Sequence, residues 1–224
     1  MGVVLLVRHG QASFGADDYD VLSEIGWAQG RLLGRWLGER GVGPSAVVHG
    51  DLRRQRDTAV AMAEGAGWSG VDAEVDAGWD EFDHVGMVAA YPGLPPDVDL
   101  SDRRAFQRLF EVATAHWTAG EPGDFAETYA DFVARVRGAL DRATGAAGPG
   151  GTVVVVSSGG PIAVACAALL EPDADALGVG RLWHRFNTVI VNSSMSRVVV
   201  GSTGARLLSF NEHPHLEGDR LTYR

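Results

Sequence analysis

The run TVVVVSSGGPIAVACAALL, Thr152 to Leu170, decides the fold. Its length and apolar character would suit a membrane span, but Ser157-Ser158-Gly159-Gly160-Pro161 breaks it in the middle. Two pieces remain. One is an all-valine strand, Val153 to Val156; the other is an Ala-rich helix opening at Pro161. A strand that is apolar at every position has no polar face, so both its faces must be covered. That is the condition of a strand inside a parallel sheet with helices on both sides.

Working outward, Val3 to Val7 is a second continuous apolar strand, Ala46 to His49 a short third, and Val71 to Val75 another. Ser23 can cap a helix running to about Arg40, with Gly41 as its stop. On that helix Ala28, Leu32 and Trp36 share one face, with Leu33 and Leu37 beside them. Leu52 to about Glu64 and Phe125 to Ala143 read as further helices. NTVIVNSSMSRVVVGSTGARLLSF, from Asn187, suggests strand, turn, strand, turn, strand. The alternation predicts an α/β fold: a three-layer sandwich around a mainly parallel sheet, one domain over residues 1–224. Residues 85–120 break the pattern, with a Pro-, Gly- and Asp-rich loop followed by RRAFQRLFEVATAHW. They read as a helical and loop insertion over one edge of the sheet, a lid or pocket wall. Tyr91, Phe106, Phe110 and Trp117 there either face a bulky leaving group or fill core.

The chain has 224 residues and a formal net charge of −10. That charge argues against a nucleic-acid partner and, more weakly, against an anionic membrane surface. An anion could still be held by arginines that converge locally. The single cysteine, Cys166, lies in an apolar run and reads as a small buried hydrophobe; no disulfide within the chain can form. VVLLV is too short for a secretory signal, and Leu6 stands where a myristoylation motif needs Ser or Thr. The expectation is a cytoplasmic protein.

Ligands of open α/β sheets gather beyond the C-terminal ends of the strands. Four loops there carry chemistry. Arg8-His9-Gly10-Gln11 follows the first strand: an imidazole that could be base or nucleophile, an arginine suited to an anion, and a glycine that lets backbone approach a ligand. HGDLRRQRDTA, from His49, places Arg53, Arg54 and Arg56 at a strand end that opens a helix, where anions are also favoured. WDEFDHVG brings Glu81, Asp83 and His84 together, either as a carboxylic acid able to protonate a leaving oxygen or as metal ligands. Ser157-Ser158-Gly159-Gly160 offers an anion cradle of hydroxyls and backbone N–H groups. A hydrolase serine elbow needs GxSxG, which SSGGP does not supply. His213 and His215 could clip a metal but suit an ordinary tail, and His116 and His184 read as structural.

In order and spacing, RHG, LSEIGWAQGRLLGRWL, GDLRRQRDTA, DEFD and VVSSGGPI together resemble the histidine phosphatase superfamily, the phosphoglycerate mutase-like proteins, over nearly the whole chain. The resemblance implies that His9 attacks phosphorus and becomes a phosphohistidine, and that Arg8 and Arg54 bind the phosphoryl oxygens. Glu81 would protonate the leaving alcohol and then serve as base for water. Gly10, Gln11, Ser158 and Gly159 would contact substrate, Gly159 through its backbone N–H. It implies no metal or organic cofactor, a small phosphorylated substrate, and compatibility with a homodimer.

Ser158 departs from the family pattern, which usually has a second histidine there in a Ser-His-Gly-Gly context. Two readings follow. Either the chain is a catalytically impaired phosphate-ligand-binding protein, or another donor fills the space. His84, three residues after Glu81, is the first candidate, and His49 the second. The leading expectation is a metal-independent phosphomonoesterase, ahead of the binding protein, a phosphoglycerate-type mutase and a metal-dependent hydrolase.

Overall fold

The computed structural model describes residues 1–13, 20–70 and 72–223. Six strands form one sheet in the order β3-β2-β4-β1-β5-β6. They are β1 (Gly2–Arg8), β2 (Ala46–His49), β3 (Ala73–Val75), β4 (Thr152–Ser157), β5 (Met195–Gly201) and β6 (Gly204–Glu212). β1 to β4 run parallel, β5 is antiparallel to β1, and β6 is antiparallel to β5. The strand predicted over Val71 to Val75 keeps only Ala73–Val75 of its range, and Val71 lies outside the described residues.

The valines of β4 explain why that strand has no polar position. Val153 and Val155 pack with helices α5 (Tyr129–Ala146), α6 (Gly159–Leu170) and α7 (Ala176–Asn187) on one face. Val154 and Val156 pack with α1 (Glu24–Gly38) and α2 (Arg53–Ala66) on the other. The result is the expected three layers. Among the described residues no helix is long and apolar enough to cross a membrane, because the 152–170 run is split between β4 and α6.

Ser23 caps α1 as expected, its side chain accepting from the Gly26 N–H. The face α1 buries is not the one its large apolar residues suggest. Gly26, Gln29, Gly30, Leu33, Gly34 and Leu37 are buried, whereas Ala28, Leu32 and Trp36 are only partly covered. The reason is close approach: a methyl group at Gly34 would collide with the Met62 carbonyl of α2. A glycine stripe lets the two helices touch backbone to backbone.

Two further expectations are corrected. The first strand predicted after Asn187 does not form: α7 runs up to Asn187, and β5 begins only at Met195. α7 itself went unpredicted because Gly178 and Gly180 interrupt its apolar pattern. Within 85–120, α3 (His84–Ala89) and α4 (Arg103–Thr118) pack together and lean on the α7 side of the sheet. Trp117 is core, fully buried with its indole N–H on the Glu127 carbonyl, while Phe106 and Phe110 are partly buried.

Candidate active site

β1 and β4 are neighbours in parallel register, Arg8 opposite Ser157, so their C-terminal loops leave the sheet side by side. The His9 N–H donates to the Ser157 carbonyl at 2.8 Å. On the other side of β4, Gly50 N–H donates to Val156. This stagger brings the loops after β1, β2 and β4 together at one end of the sheet.

His9 is 4% exposed. Its Nδ1 is 2.7 Å from the Gly10 carbonyl oxygen, which can only accept, so the ring proton sits on Nδ1. Nε2 therefore carries the lone pair, and Arg54 Nε donates to it at 3.2 Å. Burial, with the charges of Arg54 and then Arg8, holds the His9 pKa well below the ordinary imidazole range, against the Gly10 bond. The imidazole is neutral at physiological pH.

The three arginines of the second loop separate cleanly. Arg54 is buried, with its guanidinium between His9 and Asp20, 2.7 Å from Asp20 Oδ1. Arg53 and Arg56 are half exposed and lie against Asp57. Asp20 also accepts from the Arg53 N–H at 2.8 Å, the service an N-cap side chain gives a helix, while Leu52 at the N-cap position of α2 makes no side-chain bond. Arg8 reaches the other way, donating to the carbonyls of Ile190 and Tyr223.

Glu81 follows the short turn Ala77–Trp79 after β3 and points back to the head of α6. Gly160 N–H donates to its Oε2 at 3.1 Å, and Phe82 N–H to Oε1 at 3.3 Å. Burial pushes the Glu81 carboxyl above the ordinary range, opposed by the Gly160 N–H, Arg54, the Phe82 N–H and Arg8. Arg54 and Arg8 thus bear on the Glu81 carboxyl as they do on His9.

The other members of the acidic loop diverge from Glu81. Asp83 caps α3 through the Gly86 N–H at 2.9 Å. His84 lies edge-on to Phe106 and Phe110, ring centroids 6.2 and 6.4 Å away. Burial and the Arg54 charge lower its pKa, with Asp83 opposing. Among the described residues no cluster of three or more His, Cys, Asp or Glu is arranged to hold a metal ion, either here or at His213 and His215. His49 turns Nδ1 onto the Gly50 carbonyl at 2.6 Å.

Gly10 and Gln11 tie the first loop to α1 and α2. Gly10 N–H donates to Thr58 Oγ1 at 3.0 Å, and a methyl group at Gly10 would collide with the Gly26 backbone of α1. The close approach of α1 is by itself enough to demand a glycine there. Gln11 Oε1 accepts from the Ser23 hydroxyl. Gly159 opens α6, and a methyl group there would sit 2.8 Å from Asn187 Oδ1. Ser158 is fully buried, its Oγ 2.9 Å from Gln55 Nε2.

Sequence reasoning missed Asp20, Gln55, Thr58, Asn187 and Asn192, whose Nδ2 donates to the His9 carbonyl at 3.4 Å. Thr58 and Gln55 share the buried face of α2 with Arg54. Their spacing, 54, 55 and 58, is the one available signal: three polar side chains on the helix side that must face the sheet.

The family profile for the histidine phosphatase superfamily (branch 1) matches residues 4–213. The chain belongs to that superfamily. Its class is that of a phosphatase. It is 33% identical over 180 residues to the glucosyl-3-phosphoglycerate phosphatase of Mycobacterium tuberculosis, covering 75% of each chain. It is 32% identical over 187 residues to the same-named enzyme of Mycolicibacterium vanbaalenii, covering 77% of this chain and 76% of that one. The solved complex of a mycobacterial glucosyl-3-phosphoglycerate phosphatase with inorganic phosphate is 26% identical and superposes with a TM-score of 0.64, covering 97% of this chain and 100% of that one. Bacillus stearothermophilus YhfR, at 18% identity and a TM-score of 0.70, shares the fold.

Proposed function

We propose that this histidine phosphatase is a phosphomonoesterase that works through a phosphohistidine on His9 and needs no metal. The observation that carries the reading is the tautomer of His9. With Nδ1–H anchored on Gly10, Nε2 presents its lone pair beside the Arg54 guanidinium.

In the first step Nε2 forms a bond to phosphorus as the ester P–O bond breaks. Arg54 leaves Nε2 for the phosphoryl oxygens, and Arg8 joins it, matching charge that is spread over three oxygens. The leaving oxygen takes its proton from the Glu81 carboxyl, which burial keeps protonated to higher pH than a surface glutamate. In the second step the Glu81 carboxylate accepts a proton from water as water attacks phosphorus and the P–N bond breaks. Splitting one displacement in two lowers each barrier. Gly159 contributes its N–H at the head of α6. His84, neutral among Phe106 and Phe110, is a donor on the insertion side, and residues 85–120 wall the leaving-group pocket.

The substrate is a small phosphate monoester. The names of the curated relatives make a phosphorylated sugar acid the first to try. The test is hydrolysis of glucosyl-3-phosphoglycerate, 3-phosphoglycerate and p-nitrophenyl phosphate with EDTA present, by the parent and by His9→Ala. EDTA-resistant turnover that vanishes in His9→Ala is expected. Turnover surviving in His9→Ala overturns the phosphohistidine. Binding of phosphate without turnover of any ester makes the chain a ligand-binding protein. Transfer between phosphoglycerates, dependent on a bisphosphate primer, makes it a mutase.

A further inference from the structure

Ser23, Asp76, Asp83, Asp102, Thr128 and Asp175 each precede a helical segment and turn a side-chain oxygen back to accept one of its N–H groups. Ser158 precedes α6 in an extended conformation and makes no such bond. Its Oγ meets Gln55 Nε2 instead, at 2.9 Å. The orientation of that amide is fixed by a second partner: Nε2 also lies 3.2 Å from the Trp79 carbonyl oxygen, which can only accept. Gln55 therefore donates to Ser158, and the hydroxyl keeps its own proton to give. Gln55 Oε1 is buried without a hydrogen-bond partner among the described residues. The amide is held in place for its donors although its acceptor goes unused.

The pair lies among residues that hold His9 and Glu81. Ser157, one residue before, accepts the His9 N–H, and Gly160, two residues after, donates to Glu81. Gln55 is the neighbour of Arg54 on α2, and both Gln55 and Ser158 are fully buried. We infer that Gln55 is a positioning residue that aims the Ser158 hydroxyl at the transferring phosphoryl group, the pair standing in for the family's second histidine. The inference rests on the phosphohistidine reading above. A hydroxyl that accepts an N–H is polarised into a better donor, so the amide strengthens as well as aims it. The longer glutamine, reaching from α2, fills the space that serine leaves beside β4.

The test is steady-state hydrolysis of p-nitrophenyl phosphate by the full chain and by Gln55→Met, Ser158→Ala and the double variant, with thermal melts alongside. Methionine keeps the volume of glutamine but cannot donate. Loss of one preorganised donor lowers kcat by about 10². Each single variant is expected to lose kcat on that order with little change in KM. The double variant is expected to lose no more than Ser158→Ala alone, because the two act as a unit. Parent-like kcat in either single variant, or losses that multiply in the double, overturns the inference. Gln55→Glu guards against a folding defect in the methionine variant. Its carboxylate takes the Ser158 proton for itself, so its kcat relative to the parent is expected to recover as pH falls and that carboxyl protonates. A ratio that stays flat with pH overturns the proposal. His9→Ala separates the two levels: activity there sinks the phosphohistidine itself, whereas an inactive His9→Ala with multiplying losses sinks only the role of Gln55.

Discussion

The backbone N–H of Gly160 donates to Glu81 Oε2 at 3.1 Å, and a methyl group on Gly160 would collide with that same carboxylate. The second glycine of SSGG is therefore part of the acid's seat. Gly160→Ala is expected to displace Glu81. The cost is about 1–3 kcal/mol of stability from overpacking, read as a lowered denaturant midpoint. It should also cut kcat/KM for alkyl phosphates more than for p-nitrophenyl phosphate, because only the alkoxide needs its proton delivered.

The same logic applies to the acid directly. Glu81→Gln should lower kcat/KM, which reports phosphoryl transfer to His9, by about 10²–10⁴ on alkyl esters and far less on aryl esters. A uniform loss of kcat/KM on both would place Glu81 outside protonation of the leaving group.

Stability gives an independent check on Glu81. Its folded pKa is raised, so between the unfolded and folded values the native state holds a proton the unfolded chain has lost. That contribution is fully present below the unfolded carboxylate range and is lost as pH rises through the folded value. Glu81→Gln removes the buried charge and should raise the melting temperature at neutral pH, with the advantage fading as pH falls to about 4. His9 has the opposite sign. Its lowered pKa stabilises the fold above the unfolded value of about 6.5, and that contribution is lost on acidification.

Asp20 holds the Arg54 guanidinium at 2.7 Å and receives the first N–H of α2. Asp20→Asn keeps the size but weakens both bonds. It should loosen inhibition by inorganic phosphate and raise KM by more than it lowers kcat, since an arginine no longer aimed binds the ground state poorly. An unchanged phosphate Ki would show that Arg54 is aimed without it.

Much of this architecture was legible because particular residues allow little choice. An all-valine run ended by SSGGP could only be a doubly covered strand meeting a helix, and β4 and α6 are those elements. Thr188 to Val191 misled for a physical reason. Its β-branched run suits a strand, yet that backbone bends at the end of α7 to give Arg8 the carbonyl of Ile190. On α1 the large side chains drew attention from the glycines that actually face α2. His9, Arg54 and Glu81 stood out because each is a charged or imidazole group just past a strand. Gln55 and Thr58 did not, since a polar residue on a helix ordinarily faces water. Only the packing of α2 against the sheet and its loops buries them. Ser158 itself meets an amide on α2, a pairing that no motif in the sequence announces.

The most direct measurement is to mix the protein with phosphate ester, quench in alkali within the first turnover, and locate the phosphoryl group by mass spectrometry. The account predicts an acid-labile, alkali-stable phosphoryl group on the peptide carrying His9, absent from His9→Ala. Steady turnover with His9 never phosphorylated would contradict it.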